Sequence, residues 1–166
     1  MDENRKNLIL AVSLENGEFL GFAICSPNII QSDSTSIVMI AVKESFRNKG
    51  VFRVILKYIQ SKFSHVSLTC KPDLVPLYEK FGFNVSGVFQ TNICMSCGVE
   101  SGPGKIISVD DKYVMRHSSV VNEYKRLVKK IGKIRVNACV EKWQKDFSMA
   151  ESEAKKFYDN HTQKLL

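Results

Sequence analysis

Three stretches of this 166-residue chain predict an α/β domain followed by a basic helical extension. The first is Ile37 to Phe63, IVMIAVKESFRNKGVFRVILKYIQSKF, where a β-branched apolar run, a polar turn and a helical apolar spacing follow in order. The second is the set of short alternating segments on either side of it, among them NLILAVSL, FLGFAIC and HVSLTC. The third begins at Ser118, where charged and apolar residues settle into helical spacing.

Taken in order, Asn7 to Leu14 reads as a strand, and Glu15-Asn16-Gly17-Glu18 as a hairpin turn, because Asn-Gly readily takes the positive φ angles of tight turns. Phe19 to Cys25 is the returning strand, stopped by Ser26-Pro27-Asn28, and Ile29 to Ser36 reads as a loop or irregular strand end. Ile37 to Val42 is short enough to be a buried strand. After KESFRNKG, the residues Val51, Phe52, Ile55, Ile59 and Phe63 mark a helix, and a second apolar row through Val54, Leu56 and Tyr58 predicts that most of it is buried. His65 to Cys70 is another strand, ended by Lys71-Pro72. Asp73 is the expected cap of a helix over LVPLYEKF, with Pro76 in its first turn and Gly82 closing it. Phe83 to Ile93 is expected as one strand, Cys94 to Asp111 as a long connection, and Lys112 to His117 as a last short strand. Ser118 or Ser119 is expected to cap a helix reaching Gly132, and a second helical pattern covers about Ile134 to Lys164, with a break near Phe147-Ser148. Val136, Val140, Trp143 and Phe147 form its apolar stripe.

A hydrophobic share of 44% excludes a disordered chain, and no apolar run approaches the roughly 20 residues of a membrane span. The first residues, MDENRKNLIL, lack the sections of a secretion signal, so the expected location is cytoplasmic, with no membrane partner. Five cysteines, an odd number, fit reduced thiols better than a disulfide framework. Cys94-x-x-Cys97 is half of a zinc knuckle without a second pair, so no metal site is expected. The net charge of +7 is uneven: residues 120–166 carry +5 and the first 119 carry +2. Two readings of that basic tail stand side by side. It packs or forms a homodimer through its apolar stripe, or it offers Lys125, Lys129, Lys133 and Lys145 to a nucleic acid or acidic partner.

The corner after Val42 carries its own chemistry. A strand, a basic glycine-containing turn and a helix start together suit a phosphate, because unpaired N–H groups lie at the positive end of the helix. Arg47 and Lys49 add full charges, and Gly50 lets backbone approach an anion.

Two motifs, AVKESFRNKGVF and PLYEKFGF, resemble the GNAT superfamily of acyl-CoA-dependent N-acetyltransferases. The first is similar to the family's phosphate turn through Arg47 and Gly50, with Phe52 standing where a second small residue is usual. PLYEKFGF is similar to the family's tyrosine-bearing helix and its Gly-Phe strand entry, and KYVMRH resembles the closing strand. The resemblance spans about Asn7 to His117; the family's first strand and two N-terminal helices have no counterpart in it. It implies a GNAT-like mixed, mostly antiparallel sheet flanked by helices over residues 1–117, with residues 118–166 as the helical extension.

Acetyl-CoA is the implied cosubstrate. Backbone groups at Ile40 and Val42 would meet its pantetheine arm, the N–H groups of Arg47, Asn48, Lys49, Gly50, Val51 and Phe52 its diphosphate, and Lys71 would add a cation. An amine would attack the thioester directly, with Tyr78 as the acid that protonates the departing thiolate and Glu44 as the nearby carboxylate candidate for the base. Water relayed by Ser36, Cys70 or Asp33 is the other route for that proton. The resemblance leaves the acceptor amine open: small molecule, lysine or protein N-terminus. A catalytically silent GNAT-like binding or assembly module, and an acyltransferase acting on nucleic acid, are the alternative functions.

Overall fold

A computed structural model describes residues 7–28, 30–99 and 111–163. The chain divides into two compact units, residues 1–107 and 108–166.

The first unit is built on six strands: β1 (Asn7–Val12), β2 (Phe19–Pro27), β3 (Ser34–Val42), β4 (His65–Cys70), β5 (Asn84–Phe89) and β6 (Asn92–Gly98). They form one sheet in the order β1-β2-β3-β4-β6-β5. Only β3 and β4 run parallel; the other four pairings are antiparallel, so the sheet is mixed and mostly antiparallel. The parallel pair needs a crossover, and α1 (Val51–Lys62) supplies it.

Ile55, Leu56 and Ile59 of α1 are fully buried and share the core with Ala23, Cys25, Ile37, Val66 and Leu68. The second apolar row does not follow. Leu56 is buried, but Val54 and Tyr58 are 65% and 49% exposed, because the sheet covers only one stripe of the helix. Close approach of strand and helix depends on Gly21. A Cβ there would stand 2.5 Å from the Ala41 carbonyl oxygen and 3.3 Å from Ile55 Cδ1. Gly21→Ala is therefore expected to destabilise the protein by about 1–3 kcal/mol, as other overpacking substitutions do, measurable by denaturant unfolding.

Several expected elements differ. Phe83 to Ile93 is not one strand. β5 and β6 form a hairpin around Gln90-Thr91, with Gln90 at φ 53°, so Cys94 to Gly98 belongs to a strand and not to a connection. A two-residue turn with positive φ ordinarily announces itself by Asn or Gly, and Gln-Thr carries no such signal. Residues 100–110, the rest of that expected connection, lie outside the described residues. Asp73 does not cap a helix. It sits inside a 3₁₀ turn, Pro72–Leu74, and α2 (Val75–Glu79) starts from Leu74 without a capping side chain. Gly82, at φ 80°, ends that segment as expected.

The second unit consists of α3 (Asp111–Arg116), α4 (Ser118–Ile131) and α5 (Lys133–Gln163). Lys112 to His117, expected as a closing strand, is helix α3 through Arg116. Only Val114 there is β-branched, while Lys112, Met115 and Arg116 are good helix formers. The cap of α4 is the His117 ring, whose Nδ1 accepts from the Ser119 N–H at 3.4 Å, and not Ser118 or Ser119. Gly132, at φ 86°, separates α4 from α5. α5 runs 31 residues with no break at Phe147-Ser148, where Trp143 and Phe147 hold their rings 5.3 Å apart one turn from each other. No described helix is long and apolar enough to cross a membrane.

Candidate active site

β3 and β4 begin as neighbours and then part. Their register runs from Ser34↔His65 to Ile37↔Leu68 and stops. Beyond it, β3 stays with β2 as far as Val42, and β4 stays with β6 as far as Cys70. A bulge marks the parting point. The β2 register passes from Ile24↔Met39 to Cys25↔Ile37, leaving Val38 as the extra residue of β3. The Lys43 N–H donates to the Leu20 carbonyl at 2.8 Å, so the peptide groups of Ala41 face β2 as well. By alternation, the N–H and C=O groups of Ile40 and Val42 face the opposite edge, into the open slot.

The chain then turns through a short 3₁₀ segment, Glu44–Phe46, in which Arg47 N–H donates to the Glu44 carbonyl at 3.2 Å. Asn48 (φ 60°) and Gly50 (φ 82°) are both left-handed, with Lys49 between them. Gly50 caps α1 with no side chain, and a Cβ on it would meet nothing within 4 Å. The N–H groups of Val51, Phe52 and Arg53 thus start the helix without intrahelical acceptors, at the positive end of its dipole. Turn and helix start together form a concavity of free N–H groups, a geometry that suits an anion.

Slot, turn and α2 enclose one cleft of about 710 Å³. Of the residues singled out from sequence, Ile40, Val42, Arg47, Asn48, Gly50, Val51, Phe52 and Tyr78 line it. Lys49 faces a separate hollow beside β1, its ammonium 5.1 Å from the centre of the Phe46 ring. Glu44 is exposed in the 3₁₀ turn, and Lys71 is exposed after β4; neither lines the cleft. Asp33 precedes β3, at the end away from the slot, and its carboxylate accepts from the Ser64 hydroxyl. No carboxylate lines the cleft among the described residues.

Arg53, Phe46, Leu74, Leu77 and Phe81 also line the cleft and were not singled out from sequence. For Arg53 a signal existed: it is the third residue of α1, inside the turn whose N–H groups are free.

Tyr78 is 7% exposed. Its ring stands edge-on to Phe52 (centroids 5.8 Å, 65°) and to Phe83 (5.7 Å, 70°). Burial, and secondarily the Cys70 thiol, push its pKa up to about 12, so the phenol is a neutral proton donor at ordinary pH. Cys70 itself is buried at the end of β4 and is pushed up to about 11, first by desolvation and then by Asp73 and Cys94. It is a thiol and not a nucleophile there. Cys94 and Cys97 stand three residues apart on β6 and so point to opposite faces of the sheet, Cys97 accepting from Gln60 Nε2 at 3.4 Å.

A family model described as an acetyltransferase (GNAT) domain matches residues 1–92. Among solved structures, a GNAT family acetyltransferase from Elizabethkingia anophelis with acetyl-CoA bound is 21% identical, with 57% of this chain and 76% of that one covered at a TM-score of 0.48. An acetyltransferase from Bacillus cereus is 17% identical over 60% of this chain and 79% of its own, also at 0.48. The PaiA N-acetyltransferase from Thermoplasma acidophilum in complex with coenzyme A is 15% identical over 56% and 62%, at 0.45. No curated protein sequence matches the chain.

Proposed function

The chain belongs to the GNAT acetyltransferase domain family, and we propose that it transfers an acetyl group from acetyl-CoA to an amine by direct attack. The observation that carries this reading is the single cleft in which open strand backbone, an amide turn and a buried tyrosine meet. Each suits one part of an acyl-CoA. Ile40 and Val42 offer backbone groups to an extended amide-bearing arm, as an added strand would use them. The turn from Asn48 to Arg53 offers N–H groups to a diphosphate, and Arg47, whose own N–H is taken by the Glu44 carbonyl, offers guanidinium charge with Arg53. Tyr78 stands across the cleft with its proton in place.

In the step itself the amine nitrogen forms a bond to the thioester carbonyl carbon, giving a tetrahedral oxyanion that a free backbone N–H stabilises. The C–S bond then breaks with its electron pair on sulfur, and the Tyr78 hydroxyl donates toward that sulfur as charge builds. Solvent takes the proton the amine loses, since the cleft wall supplies no carboxylate among the described residues. That same missing carboxylate favours a second reading, a silent acyl-CoA-binding module.

The test is release of free thiol from acetyl-CoA with a panel of acceptors: a polyamine, a lysine-containing peptide and a peptide with a free N-terminus. Amine-dependent release supports transfer. Binding of acetyl-CoA without release by any amine supports the module, and no binding at all removes both.

A further inference from the structure

We propose that Phe52 is the positioning residue for Tyr78: its ring, projecting from the first turn of α1, fixes the phenol so that the hydroxyl faces the open cleft. The inference rests on the acetyl-transfer reading above and adds a role that the phosphate turn itself does not require.

Little else can aim Tyr78. Its helix, α2, has five residues and no capping side chain, too short to hold its own geometry by backbone bonds. The Tyr78 hydroxyl makes no hydrogen bond within the described protein, and no side-chain oxygen or nitrogen there is buried without a partner, so the oxygen has access to solvent, and the residue lines the cleft. The ring is therefore held by rings. Phe83, 1% exposed, backs it from the core. Phe52 bears on it from α1 and also meets Phe81 edge-on at 5.6 Å, so one side chain clamps residues on both sides of the α2 end. A small residue at position 52 would leave Tyr78 with Phe83 alone. Phe52 also contributes its backbone N–H to the first turn of α1, so one residue links that turn to the Tyr78 ring.

The test labels the five tyrosines with 3-fluorotyrosine and assigns the Tyr78 resonance by its loss in Tyr78→Phe. In Phe52→Ala that resonance is expected to move toward the position of exposed tyrosines. The variant's kcat is expected to fall about tenfold with KM for acetyl-CoA nearly unchanged, the loss of one aromatic edge contact being felt at the reacting centre. Phe52→Tyr, which keeps the ring, is expected to restore both, and Phe52→Leu neither fully.

A folded Phe52→Ala with resonance and kcat unmoved overturns the proposal. So does a loss of acetyl-CoA affinity as large as the loss of kcat, since the ring would then only pack the turn. Should Phe52→Ala not fold, Leu and Tyr variants that match each other in both readouts overturn it equally. If the resonance responds while the wild type shows no turnover, the clamp stands and the transfer reading falls.

Discussion

Tyr78→Phe is expected to lower amine-dependent turnover by about 10²-fold, the low end of the range for a general acid, with acetyl-CoA binding nearly intact. The substitution removes one oxygen and leaves the ring contacts with Phe52 and Phe83 in place. The low end is favoured by proton affinity. The phenolate of a phenol held near pKa 12 is more basic than a thiolate of ordinary pKa about 8.5, so complete transfer to sulfur would cost about 5 kcal/mol. On the acetyl-transfer reading Tyr78 therefore keeps its proton and donates a hydrogen bond as the C–S bond stretches, and the released thiolate takes its proton from solvent. Turnover measured against pH should show no alkaline loss from this group until pH nears 12.

The same shift has a stability consequence. Burial holds the phenol neutral, so the folded chain keeps this proton more tightly than the unfolded one. The stabilisation is complete below about pH 10 and is lost as pH rises through 12, about 3 kcal/mol in all. Cys25 and Cys70, raised to about 11, act with the same sign from about pH 9 through 11. The difference between wild type and Tyr78→Phe in urea unfolding at high pH isolates the tyrosine. Identical alkaline losses in the two proteins would show that Tyr78 is not held neutral by its surroundings.

The sheet and its cleft were legible in different degrees. β3 could be read from its β-branched run, but the strand begins three residues earlier, at Ser34, and the run itself is not buried as expected: past Ile37, Val38 and Met39 are half exposed, where β3 has parted from β4. Ser34 and Thr35 have the polarity of loop residues, yet both are buried, satisfied by His65 Nδ1 at 3.0 Å and the Ser26 carbonyl at 3.0 Å. Tertiary partners made polar residues acceptable in a strand, and no local pattern records those partners. The bulge at Val38 is equally silent, because in an unbroken apolar run an extra residue leaves no gap in the alternation. Yet that bulge marks where the slot opens. The turn from Arg47 to Phe52 was legible, since Gly50 and the helix start are local features. The clamp of Phe52 on Tyr78 was not, because it joins residues 26 apart in sequence.

Charge reversal at the turn separates a built site from a merely basic surface. Arg47 lines the cleft, whereas Lys49, two residues on, faces the neighbouring hollow with its ammonium over the Phe46 ring. Both changes, Arg47→Glu and Lys49→Glu, alter net charge by the same amount. Bulk electrostatics would therefore weaken binding of a diphosphate equally in the two. A guanidinium that bonds the anion directly contributes about 1.5–3 kcal/mol, so Arg47→Glu should weaken acetyl-CoA binding on the order of 10²-fold. Lys49→Glu should lose far less, and that smaller loss should fade in 1 M salt, where charges are screened beyond about 3 Å. In thermal unfolding, ligand at about 100 times Kd stabilises by about 2.7 kcal/mol. The wild type and Lys49→Glu should show that gain at one ligand concentration, and Arg47→Glu should lose most of it. Gly50→Ala gives the backbone counterpart. With nothing within 4 Å of its Cβ it meets no clash, so its cost is the left-handed conformation alone, about 1–2 kcal/mol. Equal losses for Arg47→Glu and Lys49→Glu, erased together by salt, would mean that the turn attracts anions without gripping one, and the donor would then have no anchor opposite Tyr78.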